Sequence, residues 1–273
     1  MNPVWFTLLN TRPVHQAGAL TQEVQLHNGQ VIQCPTIEIQ WRSCEDTIFD
    51  LLQGTDKIIF ISANAVQGFL KSVFYQHYLK SLKTAQRPIE LYAIGRATQQ
   101  SGLADQLPLT VLSQTHFDSE HFLAHPVMQQ VNQQSIAIVK GQGGRSLLED
   151  TLQKRGAKVQ PLEVYRRVSA PFCADNWLTF VQSHNPVLLL TSVESFNCLL
   201  DRLTQFDPEY AELKSSKWAF LTETIVFSAR IKDHMQAQGW SGPARVVSEQ
   251  SNAGIIDTLL TMKVEKDSLN SLT

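Results

Sequence analysis

Ile58-Ile59-Phe60-Ile61-Ser62-Ala63-Asn64-Ala65-Val66 is the stretch on which the fold turns. Four apolar residues in a row, without polar alternation, read as a strand buried on both faces, the habit of parallel sheets. Ser62 then stands where a helix N-cap belongs, its hydroxyl able to take up a free backbone N–H of the first turn. Leu188-Leu189-Leu190-Thr191-Ser192-Val193-Glu194-Ser195 repeats the succession. Working outward, strand patterns are expected at 4–9, 31–34, 57–61, 90–94, 110–112, 135–139, 158–162, 187–190, 217–221 and 245–247. Helical patterns are expected between them, at 14–28, 64–79, 97–101, 119–125, 145–155, 174–182, 194–203, 229–238 and 252–262. Gly29, Gly102, Gly156 and Gly239 each follow a helical segment, where a left-handed C′ residue is favoured. The alternation predicts an α/β protein of doubly wound parallel sheets. A length of 273 residues suggests about two domains.

Two stretches break the pattern. Pro35-Thr36-Ile37-Glu38-Ile39-Gln40-Trp41 and Pro161-Leu162-Glu163-Val164-Tyr165-Arg166-Arg167-Val168 alternate apolar with polar residues, as strands with one wet face do. Their positions suit two crossings between domains, paired as a small ladder. The expected division is one domain from both chain ends (1–36 with 169–264), a second from 42–160, a ladder from 37–41 and 161–168, and a polar, frayed tail at 265–273. A faint internal echo accompanies it. Phe6-Thr7-Leu8-Leu9 leads to Arg12, a helix and Gly29, while Ile136-Ala137-Ile138-Val139 leads to Arg145, a helix and Gly156. Ordinary convergence of α/β units gives the same pattern.

Lys and Arg number 23 against 25 Asp and Glu, which excludes a broadly basic nucleic-acid-coating protein and leaves a local cationic pocket open. The apolar run at 4–9 has no basic leader and is too short for a signal peptide, and no 18-residue apolar stretch predicts a membrane span. Cys34, Cys44, Cys173 and Cys198 are scattered, with no CxxC pair, and read as reduced cytoplasmic thiols.

Candidate chemistry gathers at strand ends. Ser62-Ala63-Asn64 and Ser192-Val193-Glu194-Ser195 open helices with free N–H groups at the carboxyl edge of a sheet, which is an anion-binding arrangement; both serines also suit plain N-caps. Neither lies in GxSxG, so a hydrolase nucleophile elbow is not indicated. Gly141-Gln142-Gly143-Gly144-Arg145 lacks both nucleotide-loop spacings and reads as a glycine-rich turn, with Arg145 facing a carboxylate or solvent. Gly95-Arg96-Ala97-Thr98 and Phe227-Ser228-Ala229-Arg230 add hydroxyls, and Arg12 adds a cation. Together these rims suit a multiply anionic small molecule. His121 and His125 have metal-ligand spacing with His116 nearby, but no further ligand completes a set, and a solvated helix face is the better account. Tyr165 on the second alternating strand could give a proton to a departing oxygen or serve as an ordinary strand tyrosine.

Taken in order, Leu8-Leu9-Asn10-Thr11-Arg12-Pro13, Ile59-Phe60-Ile61-Ser62-Ala63-Asn64-Ala65-Val66, Ala93-Ile94-Gly95-Arg96-Ala97-Thr98, Gly141 to Arg145, Val164-Tyr165-Arg166-Arg167, Leu190-Thr191-Ser192 and Ser228-Ala229-Arg230-Ile231 with Gly239-Trp240 resemble the uroporphyrinogen-III synthase family. The resemblance implies two flavodoxin-like doubly wound domains, one discontinuous, joined by a two-stranded ladder. It implies a cofactor-free lyase that closes hydroxymethylbilane, an octa-acid, into uroporphyrinogen III with inversion of the last ring and loss of water. By the same resemblance Tyr165 assists departure of the hydroxyl group. Arg12, Ser62, Ala63, Asn64, Thr98, Arg145, Ser192, Val193, Ser195 and Ser228 then bind the substrate's carboxylates. A monomer in the cytoplasm is implied, with no metal, nucleic acid or membrane partner and possible transient contact with hydroxymethylbilane synthase. Phe227, Ala229 and Asn10 depart from the family's usual residues. The alternative is a non-catalytic two-domain cytoplasmic binding protein for a multiply anionic small molecule.

Overall fold

A computed structural model describes residues 4–42, 54–84, 88–105, 107–113, 115–144 and 146–270. Cys44 and Arg145 lie outside the described residues. In chain order the elements are β1 (Phe6–Asn10), α1 (Gly18–Leu26), β2 (Gly29–Gln33), β3 (Ile37–Trp41), β4 (Lys57–Phe60), α2 (Ala63–Leu70), α3 (Val73–Thr84), β5 (Glu90–Ala93), α4 (Arg96–Ala104) and β6 (Thr110–Val111). They continue with α5 (Ser119–Ala124), α6 (Pro126–Gln129), β7 (Ser135–Gly141), α7 (Leu147–Lys154), β8 (Lys158–Ser169), α8 (Ala174–Val181), β9 (Pro186–Leu190), α9 (Val193–Phe206), β10 (Glu223–Val226), α10 (Ala229–Ala237), β11 (Ala244–Val246) and α11 (Asn252–Asn270).

The chain divides into two compact units: Met1–Glu38 with Val168–Thr273, and Ile39–Arg167. In the first, a parallel sheet has the order β11-β10-β9-β1-β2. Its strands explain their own composition. Leu188 and Leu190 of β9 enter one apolar layer with Trp177 and Leu199, while Val187 and Leu189 enter the opposite layer with Phe6, Leu8 and Ile255. Both faces are covered, so no position along the strand is left for a polar alternation. The second unit repeats this. Ile58 and Phe60 face a layer with Phe69 and Val139, and Ile59 faces the other with Ile136 and Ile138.

The second sheet has the order β3-β8-β7-β4-β5-β6. Read in chain order, its five parallel strands follow 3-2-1-4-5, whereas the first unit follows the flavodoxin-like 2-1-3-4-5. The two become the same arrangement if the second unit is permuted to start at β7, so that β7 and β8 match β1 and β2, and β4 matches β9. That is the internal echo of the sequence expressed as topology. The edge strand β3 pairs with the far part of β8. Thr36 O accepts from Ala170 N at 2.9 Å and Val164 O accepts from Arg42 N at 3.0 Å, so the partners run antiparallel. The alternating stretch at 161–168 is thus no separate element but the continuation of β8, which pairs with β7 first.

Several expectations give way. Residues 217–221 form no strand: Ser216–Trp218 make a 3-10 turn, and the strand is β10. Trp218 is pulled into the aromatic core, its ring centroid 6.1 Å from Trp177 and 4.9 Å from Trp240, while the β-branched run Thr224-Ile225-Val226 takes the sheet position. The helix expected over 64–79 breaks after Leu70, where Ser72 Oγ donates to Phe69 O at 2.7 Å and α3 starts afresh. The one expected over 14–28 begins as a 3-10 turn at Val14–Gln16 before α1. The polar tail is not frayed from 265: α11 runs to Asn270, with no breaker in its way, and Glu265 and Lys266 reach Arg245 (2.8 Å) and Asn185 (2.9 Å). Nor are all the described cysteines reduced thiols. Cys34, just past β2, and Cys173, at the start of α8, form a disulfide with Cα atoms 5.6 Å apart, while Cys198 is free. Scattered spacing in the sequence hid a pairing that only the packing of α8 over β2 produces.

Candidate functional site

The carboxyl edge of the second sheet is built by the turns after β7, β4 and β5. Val139, Phe60 and Ala93 lie in register across these neighbours, so their turns open side by side. Ser62 caps α2 from an extended backbone, its Oγ accepting from Ala65 N at 3.1 Å. That occupies one N–H of the first turn and leaves that of Ala63 unused by the cap. Tyr165, from β8, brings its hydroxyl to 3.2 Å from Ser62 Oγ. The phenol is 1% exposed and has Trp41 edge-on with ring centroids 6.4 Å apart. Gly141 lies against its ring: a Cβ there would stand 2.6 Å from ring carbons and 3.0 Å from the hydroxyl oxygen. The glycine-rich turn therefore has two distinct needs, close approach at Gly141 and left-handed backbone at Gly143 (φ 76°) and Gly144 (φ 87°). Thr98 is buried in the first turn of α4, whose cap Gly95 has no side chain to bond the N–H groups.

In the first unit the corresponding turns follow β1, β9 and β10, with Asn10 beside Leu189 and Leu190 beside Val226. Ser192 caps α9, its Oγ accepting from Ser195 N at 3.0 Å. Val193 fills the first helical position. Ser195 itself is buried and belongs to a hydroxyl chain. Thr11 Oγ1 donates to Leu189 O at 2.6 Å, which obliges Ser195 to donate to Thr11 (3.0 Å) and Thr36 to donate to Ser195 (2.7 Å). Its side chain therefore ties α9 to the end of β1 and to the root of β3 rather than facing outward. Ser228 stands at the N-cap of α10 without using its hydroxyl there. Arg12 donates to Asn252 Oδ1 at 2.7 Å, and no carboxylate among the described residues pairs with it. Burial pulls its pKa below the usual guanidinium value, and it stays charged in a partly desolvated setting. The two serine edges are thus each built within their own unit; Arg145 lies outside the described residues. Of the three histidines, His121 bonds Asp118 (2.7 Å) and stacks on His116, and His125 caps α6.

Residues 18–255 match the family model described as uroporphyrinogen-III synthase HemD. The chain belongs to the uroporphyrinogen-III synthase family. It is 28% identical to the uroporphyrinogen-III synthase of Proteus mirabilis over 178 residues, covering 63% of this chain and 85% of that one. It is 23% identical to that of Escherichia coli K12 over 256 residues, covering 93% and 99%. Its fold is similar to that of the uroporphyrinogen-III synthetase of Helicobacter pylori 26695 (TM-score 0.58, 15% identity, 94% and 98% covered). A mutant uroporphyrinogen III synthase of Thermus thermophilus is as similar (TM-score 0.57, 14% identity, 96% and 99% covered). In this member of the uroporphyrinogen-III synthase family, two contributors to the edges gave no local signal. Thr36 sits in an alternating strand segment, and Asn252 is 240 residues from the arginine it holds.

Proposed function

We propose that the chain converts hydroxymethylbilane to uroporphyrinogen III. The observation that carries the site assignment is the phenol of Tyr165 within 3.2 Å of the hydroxyl that caps α2. Tyr165 gives its proton to the hydroxyl departing from the terminal hydroxymethyl carbon, which leaves as water, and Ser62 holds the phenol in place. The carbon left behind is strongly electrophilic, and the remaining work is positional: the substituted carbon of the last ring must be the one that attacks. In the second unit the acetate and propionate arms are held at the start of α2, through Ser62 and Ala63, with Asn64 and Thr98 on the same edge. In the first they are held at the start of α9, through Ser192 and Val193, with Arg12 and Ser228 on that edge and Ser195 bracing α9. Arg145 is assigned to the same carboxylates. The net charge of −2 on the whole chain is compatible with this, because a few donors at strand ends set the local field.

No described helix is long and apolar enough to cross a membrane. We place the reaction in the cytoplasm, carried out by a monomer that meets hydroxymethylbilane synthase transiently; co-sedimentation of the two purified proteins tests that contact. The reaction is tested by supplying freshly made hydroxymethylbilane, oxidising the products and separating the porphyrin isomers. Isomer III is expected, and a product consisting of isomer I alone, which forms spontaneously, would overturn the assignment.

A further inference from the structure

Arg12 stands in the turn after β1, and the side chain that holds it is Asn252, the first residue of α11. Ser251 caps this helix, its Oγ accepting from Gly254 N at 3.1 Å. A guanidinium only donates, so the amide oxygen of Asn252 is the acceptor, from Nη1 at 2.7 Å. It is the one acceptor that the guanidinium has among the described residues. Nε and Nη2 of Arg12 and Nδ2 of Asn252 have no partner among those residues, and none of the three is closed off from solvent. An amide is the weaker choice of partner here. A half-buried cation is ordinarily matched by a carboxylate. An acid in the first turn of a 19-residue helix would also meet the positive end of its dipole. Asp has the shape of Asn and would gain on both counts, but the first turn of α11 carries no acid. The amide fixes the arginine and leaves its charge uncompensated.

We propose that Asn252 is a further substrate-binding residue, which presents Arg12 with its charge intact and joins it in seating a carboxylate arm of the substrate. This rests on the reading of hydroxymethylbilane as that substrate. Nε and Nη2 form one edge of the guanidinium, whose two parallel N–H groups match the two oxygens of a carboxylate. Nδ2 of Asn252 adds a donor beside them. The seat belongs to the switch point of the first unit, because β1 and β9 are neighbours and Asn10 lies beside Leu189, just ahead of the Ser192 cap. Three elements that are distant in the chain, the ends of β1 and β9 and the start of α11, then serve one anionic face.

Three variants of the whole chain separate this role from a bond that only braces the helix. Asn252→Asp keeps the acceptor oxygen, neutralises Arg12 and removes the amide donors. It should raise KM for hydroxymethylbilane roughly tenfold, the effect of losing a hydrogen bond to a charged group, with a smaller effect on kcat and no fall in the urea midpoint. Asn252→Ala removes the bond and leaves the charge, so it should raise KM only about threefold while lowering the midpoint. A bracing bond predicts the reverse order, with Ala impaired more than Asp. Ala253→Asp adds the same charge at the exposed next position and should stay within about twofold. The same ranking is expected in the dissociation constant of uroporphyrin III, an octa-acid whose binding needs no turnover, read by fluorescence anisotropy. An Asn252→Asp protein within twofold of the unaltered chain in both constants, a greater loss in Asn252→Ala, or an equal loss in Ala253→Asp would overturn the proposal. A chain that yields isomer I alone would overturn the reading of the activity instead. The uroporphyrin constants then decide on Asn252 by themselves, and absence of binding counts against it.

Discussion

Gly141→Ala is the sharpest test of the Tyr165 site, because it adds one methyl group and touches no hydroxyl. The new Cβ would meet the Tyr165 ring at 2.6 Å, about 1 Å inside normal carbon contact. The backbone of Gly141 is tied into β7 and the phenol is 1% exposed, so the ring must retreat into a packed core. Overpacking of this kind costs about 1–3 kcal/mol. A retreat of about 1 Å also takes the phenol out of hydrogen-bond range of Ser62, adding about 1 kcal/mol. The thermal midpoint should fall by several degrees, at about 3–5 °C per kcal/mol for a unit of this size. If the phenol donates the proton, an ångström of displacement should slow isomer III formation by about 10²-fold. Gly239→Ala supplies the control. It forces a φ of 102° on an alanine with nothing within 4 Å of the added Cβ, so it destabilises by strain alone, about 1–2 kcal/mol, away from the serine edges. The rate of isomer III formation and the melting curve of each variant decide the matter. A Gly141→Ala protein that melts lower yet turns over within twofold of the unaltered chain would refute any need for the placement of Tyr165.

Tyr165→Phe should keep the fold, lose about 1 kcal/mol with the Ser62 bond, and slow turnover by about 10²-fold or more, read from the initial rate of isomer III formation. Ser62→Ala and Ser192→Ala should each cost about 1 kcal/mol in chemical denaturation as lost N-caps, but only Ser62→Ala also frees the phenol and should lower turnover beyond what saturating substrate restores. Thiol titration of the denatured protein should release two further thiols once a reductant is added, and Cys34→Ser should lose up to about 5 kcal/mol of the stability that closing a long loop provides under oxidising conditions. An unchanged thiol count would mean that Cys34 and Cys173 are not joined. Burial pushes Glu90 upward, but hydrogen bonds from Tyr92 and Lys57 hold its carboxyl below the ordinary value. A depressed folded pKa stabilises above the unfolded pKa and is lost as pH falls through the folded one, so the contribution of Glu90 should fade on acidification below the usual carboxylate range. Acid unfolding of Glu90→Gln should be correspondingly less steep, and an identical acid limb would argue against it.

Much of the fold was legible because its signals are local. Ile58 to Ser62 and Leu188 to Ser192 each state a doubly covered strand and a cap within five residues, and the structure puts a sheet edge and an N-capped helix at both. Where the sequence misled, a tertiary contact overrode the local pattern. The apolar run ending at Leu221 carries Trp218, which the aromatic cluster with Trp177 and Trp240 needs more than the sheet does. α11 continues through a polar stretch because Glu265 and Lys266 find partners on other segments. The site was legible to the same extent. The cap serines and Tyr165 stand in readable patterns, but the contact between Tyr165 and Ser62 spans 103 residues, and the support of Arg12 by Asn252 spans 240. The family resemblance implies that Ser195 binds a carboxylate; its buried bonds to Thr11 and Thr36 turn its side chain inward.

The permuted match between the units explains why these serine edges look alike and yet are not equivalent. β9 matches β4 and α9 matches α2, so Ser192 and Ser62 occupy the same place at a switch point, where strand order reverses and ligands of open α/β sheets bind. Their backbones agree closely, φ and ψ of −154° and 158° against −161° and 164°, and each hydroxyl accepts from the N–H three residues on. What stands behind the cap differs. In the first unit it is the chain Thr36-Ser195-Thr11, whose hydroxyl protons are all committed to neighbours and the last to a backbone carbonyl, so it can brace but has no proton to spare. In the second it is a phenol whose hydroxyl meets another hydroxyl, that of Ser62, which can itself be donor or acceptor. In the proposed mechanism the proton comes from the second unit's edge, where the phenol stands, and not from the first. On this reading the duplicated scaffold supplies two anion-holding edges from one pattern, and a single tyrosine on the continuation of β8 makes one of them reactive.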